Sequence, residues 1–465
     1  MTAQTGPTRA TRPTVPRRVS LWRTLAGLRR DPLGSFEQTV RAARGDIVRL
    51  NLGLFSPYLV THPDHVQHVL KDHPATYTRE GMFWKPLKRL FGRGILVDGP
   101  DWEPSRRRLQ PMFASRTIEA LMAGLTDTVR SAVDELHGEI ATGAPLDAGR
   151  AMASIVHRTI ARVFFGDRIS RADIDRLIPA IDAAGLSVRA RLILPSVPHV
   201  VPLPGDRAFR RAVRDIDAVM YPLIRACRQA PGERDDVVSM LCRSTDDRGR
   251  PLTDQQVRDD VVSMFAAGTE TTATALTWLW VALDANPTVA GRLFAEIDRV
   301  VGGASVTAAH LPKLAYTRMV LQELVRLYPV GWLIPRTATR RDVIGRHVIK
   351  PGSTILISPY LTQRLDDFFH RPTEFDPERF RPENARGRHR YAYFPFGGGP
   401  HQCLGAHLFT IEAELIAATI LGRYRPELAN ATPVTALPAA SLRPREPVLL
   451  RLHPIETIQA MPRVA

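Results

Sequence analysis

Cysteine is nearly absent: Cys227, Cys242 and Cys403 are the only three in 465 residues. No two of them form a CxxC pair, which argues against a finger-type zinc site and against a disulfide framework. Cys227 and Cys242 read as reduced structural thiols of a cytosolic protein. Lysine is scarce as well. Five of the 63 basic residues are lysine, so arginine carries nearly all of a formal charge of +16. No helix-turn-helix, zinc-finger or ribonucleoprotein signature accompanies that charge, and no basic run is interleaved with aromatics, so nucleic acid is not an expected partner. Docking of an acidic protein and plain compositional bias are both open readings of the charge. Long linkers, internal repeats and a GxGxxG motif after a strand are also missing. The chain therefore reads as one large unit with no fused reductase. Residues 1–20 are rich in Thr, Pro and Arg, lack acidic residues, and read as a flexible tail, leaving residues 21–465 as a single domain.

What is present points to a large helical core. Hydrophobic residues make up 44% of the chain, enough to enclose a prosthetic group. Val261 to Leu283 has the length of a membrane span, but Glu270 and five threonines lie near its middle. It reads as a buried central helix, and the protein as cytoplasmic with no transmembrane anchor. Alternation over Asp46–Asn51, with Val48, Leu50 and Leu52 on one side, predicts a strand returning at Tyr58–Val60, then a helix from Asp64 to Lys71. Helices are expected at about 115–140, 150–165 and 207–228, and again from Leu404 to Leu421. Short strands are expected at Val343–Val348 and Thr354–Ile357, with Pro351-Gly352 turning between them. Leu192 to Gly205, apolar with four prolines, reads as a stiff lid or channel edge. The fold class is mainly α with small β-sheets.

The chemistry concentrates at Phe394-Pro-Phe-Gly-Gly-Gly-Pro-His-Gln-Cys-Leu-Gly405. Gly397 and Gly399 allow turns in which amide hydrogens point at the Cys403 sulfur, and the following helix start favours a thiolate. Such a thiolate could ligate a metal or act as a nucleophile. Gly405 permits something flat to lie near the helix start, and His401 could reach an acidic group at its edge. Donors beneath a planar ligand suggest heme iron.

The run Phe396, Gly397, Gly399, His401, Cys403, Gly405 is similar to the cysteine-ligand loop of cytochrome P-450 enzymes, the heme-thiolate monooxygenases, with all six specified positions matched. Further resemblances precede it in the family's order. Ala267-Gly-Thr-Glu-Thr-Thr272 resembles the oxygen-activating helix segment, Glu323 with Arg326 the buried charge pair, and Phe375-Asp-Pro-Glu-Arg-Phe380 the segment that supplies Arg379 to that pair. Trp102 and Arg106 resemble residues that meet a heme propionate, although many soluble bacterial members carry His at the Trp102 position.

The resemblance implies a cytochrome P-450 fold with heme b between the central helix and the cysteine loop. Cys403 would be the iron ligand. Trp102, Arg106, Gly268, Arg336, Phe396, His401 and Gly405 would contact the cofactor. Glu270 and Thr271 would deliver protons to the oxygen chemistry, with the helix loosening at Gly268. Glu323, Arg326 and Arg379 would lock the heme side structurally. The variable substrate linings of the family fall at Met82–Val97, Leu192–Pro204 and Val330–Leu333, and Phe265, Ala266, Ala267, Val330, Trp332 and Leu333 would make an apolar pocket. The implied activity is insertion of one atom of dioxygen into a terpene, fatty acyl or polyketide-like molecule in secondary metabolism. Electrons would come from a ferredoxin or flavodoxin with its reductase, and the enzyme would be a monomer. A peroxide-using heme-thiolate enzyme and a non-catalytic heme sensor are the competing readings.

Overall fold

A computed structural model describes residues 17–19, 27, 29–53, 55–193, 205–230 and 235–455. The lid expected at 192–204 lies almost wholly outside them. Contacts divide the chain into two compact units. The smaller draws on residues 1–79, 333–372 and 388–402; the larger takes 80–332, 373–387 and 403–465. Helix makes up 57% of the protein.

The smaller unit is organised by a six-stranded sheet in the order Arg17–Arg18, Val48–Arg49, Tyr58–Val60, Thr354–Ile357, Ile334–Ala338, Tyr77–Thr78. Val48–Arg49 and Tyr58–Val60 pair antiparallel, with Val48 opposite Leu59. Thr354–Ile357 runs parallel to Tyr58–Val60, with Ile355 opposite Tyr58, and antiparallel to Ile334–Ala338. Apolar side chains at Tyr58, Val60, Ile355 and Ile357 fill one face, where Val66, Val69, Leu70 and Phe394 pack. Two expectations change here. Arg17–Arg18, placed by composition in a flexible tail, pair parallel with Val48–Arg49. The stretch read as one strand at Val343–Val348 is a hairpin, Asp342–Ile344 against His347–Ile349, because Gly345 takes φ +55° and reverses the chain.

The larger unit is built on helices. Ser115–Glu135, Ala148–Phe165, Asp206–Gln229, Asp254–Asp284, Ala315–Leu327 and Ala406–Leu421 contribute most of one continuous apolar core. The 31-residue helix Asp254–Asp284 is the central one. Thr253 caps it: the Gln256 amide donates to the Thr253 hydroxyl at 3.2 Å, and the Thr253 amide donates to Gln256 Oε1 at 2.9 Å. Its second half is fixed by packing. Trp278 stacks on Tyr328 with centroids 4.4 Å apart and donates from Nε1 to the Leu442 carbonyl at 3.0 Å. From Val257 to Phe265 every residue is buried, and so are most from Thr272 onward, as expected for an interior helix. Among the described residues one segment, Gly399–Leu421, is long and apolar enough to cross a membrane, but Glu412 to Leu421 are all buried in the core.

Candidate heme-thiolate site

The larger unit supplies most of the residues singled out from sequence. Within the central helix, Ala266, Ala267 and Gly268 are partly accessible, and Glu270 and Thr271 are exposed, whereas Phe265, Thr269 and Thr272 are buried. Positions 267, 270, 271 and 274 share one face at helical spacing. A buried helix thus presents one open, partly polar strip. The helix is continuous through Gly268, so the expected loosening is not seen. A Cβ there would meet Ile160 at an ordinary 3.5 Å, and the Thr271 hydroxyl donates back to the Ala267 carbonyl at 2.6 Å. Threonine back-bonding keeps the turn closed where opening was expected. The Ser441 hydroxyl donates to Glu270 Oε1 at 3.1 Å.

Cys403 lies three residues before the helix Ala406–Leu421. Burial pushes its thiol up, while the N–H groups of Gly405 and Ala406 and the charge of Arg106 favour the thiolate. Its side chain keeps accessible surface although protein surrounds it closely enough to desolvate it, the position of a group on the wall of a recess. Two amides that donate to the sulfur and a guanidinium charge near it suit a metal-bound thiolate. A Cβ on Gly405 would stand 3.9 Å from Sγ, so the protein itself does not forbid a side chain at that position. Trp102 and Arg106 both lie on the short helix Trp102–Leu109 and are partly buried.

The charge network is fully enclosed. Arg326 Nε and Nη2 donate to Glu323 Oε2 and Oε1 at 2.6 and 2.8 Å, with neither side chain accessible. Arg379 Nε and the Asp376 amide reach Glu323 Oε1 at 3.3 and 2.8 Å, and Arg326 Nη2 also donates to the Glu374 carbonyl at 3.0 Å. The helix Ala315–Leu327 therefore holds the 374–379 segment through one carboxylate. Of the residues read as pocket lining, Phe265 is packed in the core against Phe164 and Phe165, at 6.1 and 5.5 Å between centroids. Those aromatic contacts remove it from an accessible wall. Val330 and Trp332 are buried too, and Trp332 Nε1 donates to the Ala439 carbonyl at 2.8 Å.

In the smaller unit, Gly397 and Gly399 take φ of +69° and +67°, the left-handed region that favours glycine. A Cβ on Gly399 would also collide with the Leu70 carbonyl oxygen. Phe396 and His401 are partly buried, His401 closing the turn Gly399–His401. Arg336 sits on the strand Ile334–Ala338 opposite Ile355 and is buried. Leu333, at the start of this unit's second segment, is partly accessible.

A family model for cytochrome P-450 matches residues 13–451. The chain belongs to the cytochrome P-450 family. Cyclooctatin synthase of Streptomyces melanosporofaciens is 33% identical over 90% of this chain and 89% of its own length. Cyclooctat-9-en-7-ol 5-monooxygenase from the same organism is 33% identical over 82% of this chain and 83% of its own length. The crystal structure of the cytochrome P450DA heme domain, 22% identical, superposes with a TM-score of 0.85 over 96% of this chain and 98% of that one, which establishes the fold. This cytochrome P-450 is thus a heme-thiolate monooxygenase, with heme b as cofactor and dioxygen, an apolar substrate and a redox partner as its reactants.

Sequence reasoning missed several groups. Ser441 belongs to no motif. Glu412 is buried in the helix after Cys403, bonded to the Thr159 hydroxyl, and an acid within an apolar run was its only sequence signal. Asp259 and Asp260 are buried at the start of the central helix. Asp259 accepts from the Arg93 amide at 3.1 Å, and Asp260 accepts from the Ile95 amide at 3.1 Å and the Ser105 hydroxyl at 2.6 Å.

Proposed function

We propose that Cys403 is the thiolate ligand of the heme and that the enzyme oxidises a cyclic, largely hydrocarbon substrate of terpene type. The surroundings of Cys403 carry the ligand assignment: against a burial that raises the thiol, two backbone N–H groups and the charge of Arg106 favour the charged sulfur. Once bound, the iron supplies oxygen activation, for which a thiolate ligand favours O–O cleavage. Arg106 and Arg336 offer planar forks to the heme carboxylates, with Trp102 and His401 as further donors. Phe396, Gly268 and Gly405 are the cofactor-facing positions, which accounts for glycines that their protein neighbours do not require.

Protons move along the accessible strip of the central helix. Ser441 Oγ, Glu270 Oε1 and Thr271 Oγ1 form the route, with the first hydrogen bond already in place. The Thr271 hydroxyl must leave the Ala267 carbonyl to donate elsewhere. This relay favours a monooxygenase fed by a reductase over a peroxide-using enzyme.

The substrate class rests on the relatives. One of them is named for an unsaturated alcohol that it oxidises at a further carbon. Ala267 leaves room on the open strip, and Ala266, Val330, Trp332 and Leu333 are apolar, so they suit such a molecule better than a charged one. A small acidic ferredoxin or flavodoxin complements the net charge of +16. The chain acts as one catalytic domain that includes the Arg17–Arg18 strand, monomeric and cytoplasmic.

The deciding experiment compares carbon monoxide difference spectra of the reduced protein and of Cys403→Ser. Wild type should give the long-wavelength band of a thiolate-bound heme, and Cys403→Ser should lose it; an unchanged band removes Cys403 as ligand. A panel of cyclic alkenes and alkenols, read by shifts in iron spin state and then by product mass, tests the substrate. No shift with any of them, alongside a shift with fatty acids, would refute the terpene assignment.

A further inference from the structure

The smaller unit holds a cluster of ligating side chains outside the residues given roles above. The helix Pro63–Gln67 continues into one π-turn, His68–Asp72, closed by the His73 amide donating to the His68 carbonyl at 2.9 Å. In an α-helix, residues five apart would point about 140° away from one another. The wider turn instead stacks the imidazoles of His68 and His73, centroids 4.0 Å apart and planes inclined by 30°. The hairpin at 342–349 brings a carboxylate to the same place: Asp342 Oδ2 lies 2.8 Å from His68 Nε2 and accepts from the Tyr77 hydroxyl at 2.7 Å. One ligand atom from each of His68, His73 and Asp342 falls within 4.8 Å of the others. Nδ1 of His73 is buried with no hydrogen-bond partner, an arrangement folded proteins seldom keep without a use.

We propose that His68, His73 and Asp342 bind one divalent cation of the zinc class. Two imidazoles and a carboxylate are the three-ligand set of zinc, with water as the fourth ligand, and nitrogen donors disfavour magnesium and calcium. Metal–ligand bonds of about 2.0–2.2 Å set neighbouring ligand atoms about 3.3–3.5 Å apart in a tetrahedron. The His68–Asp342 pair therefore opens by roughly half an ångström, and the two stacked rings tilt apart so that each in-plane nitrogen lone pair meets the ion. Tyr77 keeps its bond to Asp342 and orients the carboxylate, as outer groups do around bound metals. The His68 and Asp342 side chains are 22% and 20% exposed, so the ion can enter from solvent. Binding would stiffen a turn whose Leu70 carbonyl lies flush against Gly399, four residues before Cys403.

The test uses tag-free, heme-loaded protein stripped with a chelator and titrated with zinc against a fluorescent zinc indicator. One equivalent should bind, and the affinity should fall at least tenfold in His73→Ala and in Asp342→Asn, but not in His453→Ala on the surface. Cobalt added to wild type should give the intense visible bands of a tetrahedral site. Should the variants misfold, acylation of histidines by diethylpyrocarbonate gives a readout on wild type alone. Zinc is expected to protect His68 and His73 selectively. Equal affinity in wild type, His73→Ala and Asp342→Asn overturns the proposal, as does a lack of selective protection.

Discussion

At the scale of single residues, Glu412 is a strongly perturbed carboxylic acid. Burial pushes its carboxyl up to about 8 from an ordinary 4.5, against the hydrogen bond from Thr159. Between those values the folded protein holds a proton that the unfolded chain releases. The resulting stabilisation is fully present below pH 4.5 and is lost as pH rises through about 8. Glu412→Gln, which cannot ionise, should escape that loss: denaturant unfolding at pH 6 and pH 9 should find wild type weakening relative to the variant. Parallel stabilities at the two pH values would mean that Glu412 is already charged in the fold. Thr271 is tested through product yield instead. Thr271→Ala should keep the spin-state response to substrate while sending reducing equivalents to hydrogen peroxide, and unchanged coupling of electrons to product would count against a relay at Thr271 Oγ1. These two residues differ in how well sequence exposes them. Thr271 stands in a motif, whereas Glu412 gains its character from burial, and its one side-chain partner, Thr159, lies 253 positions away with no spacing to connect them.

Among elements, the helix Ala315–Leu327 and the 374–379 segment depend on one another through Glu323. Removing that carboxylate takes the shared acceptor away from two buried guanidinium groups and a backbone amide. Glu323→Ala is expected to lose roughly 3–5 kcal/mol of stability and to be recovered without heme. A heme-replete Glu323→Ala protein with wild-type melting temperature would show that the network is dispensable. The helical half of this arrangement is legible, since three-residue spacing puts Glu323 and Arg326 on one face. The Asp376 amide is not, because a backbone donor leaves no trace in side-chain pattern. Long helices announce themselves through apolar periodicity, as at 115–135 and 148–165. The strands here run two to six residues, too short for alternation to set their boundaries. Sequence pattern accordingly predicts one strand where the 342–349 hairpin lies and a plain helix end where the π-turn lies.

For the whole molecule, 63 basic residues against 47 acidic ones leave a charge that surface ion pairs do not cancel. If that excess guides an acidic electron donor, reduction of the heme by such a donor should slow steeply between 50 and 300 mM salt, since the screening length is about 10 Å at 0.1 M. A rate indifferent to salt would assign the arginines to composition alone. Tolerance to substitution is uneven across the larger unit. A Cβ on Gly92 or Gly94 would strike Asp259, and the Arg93 and Ile95 amides between and beyond them are held by Asp259 and Asp260. Ala266 and Ala267, two turns further along the central helix, are partly accessible. A library randomised over 92–95 would return mostly misfolded protein, whereas the same diversity at 266 and 267 would survive folding and be sorted by the molecules that it accepts.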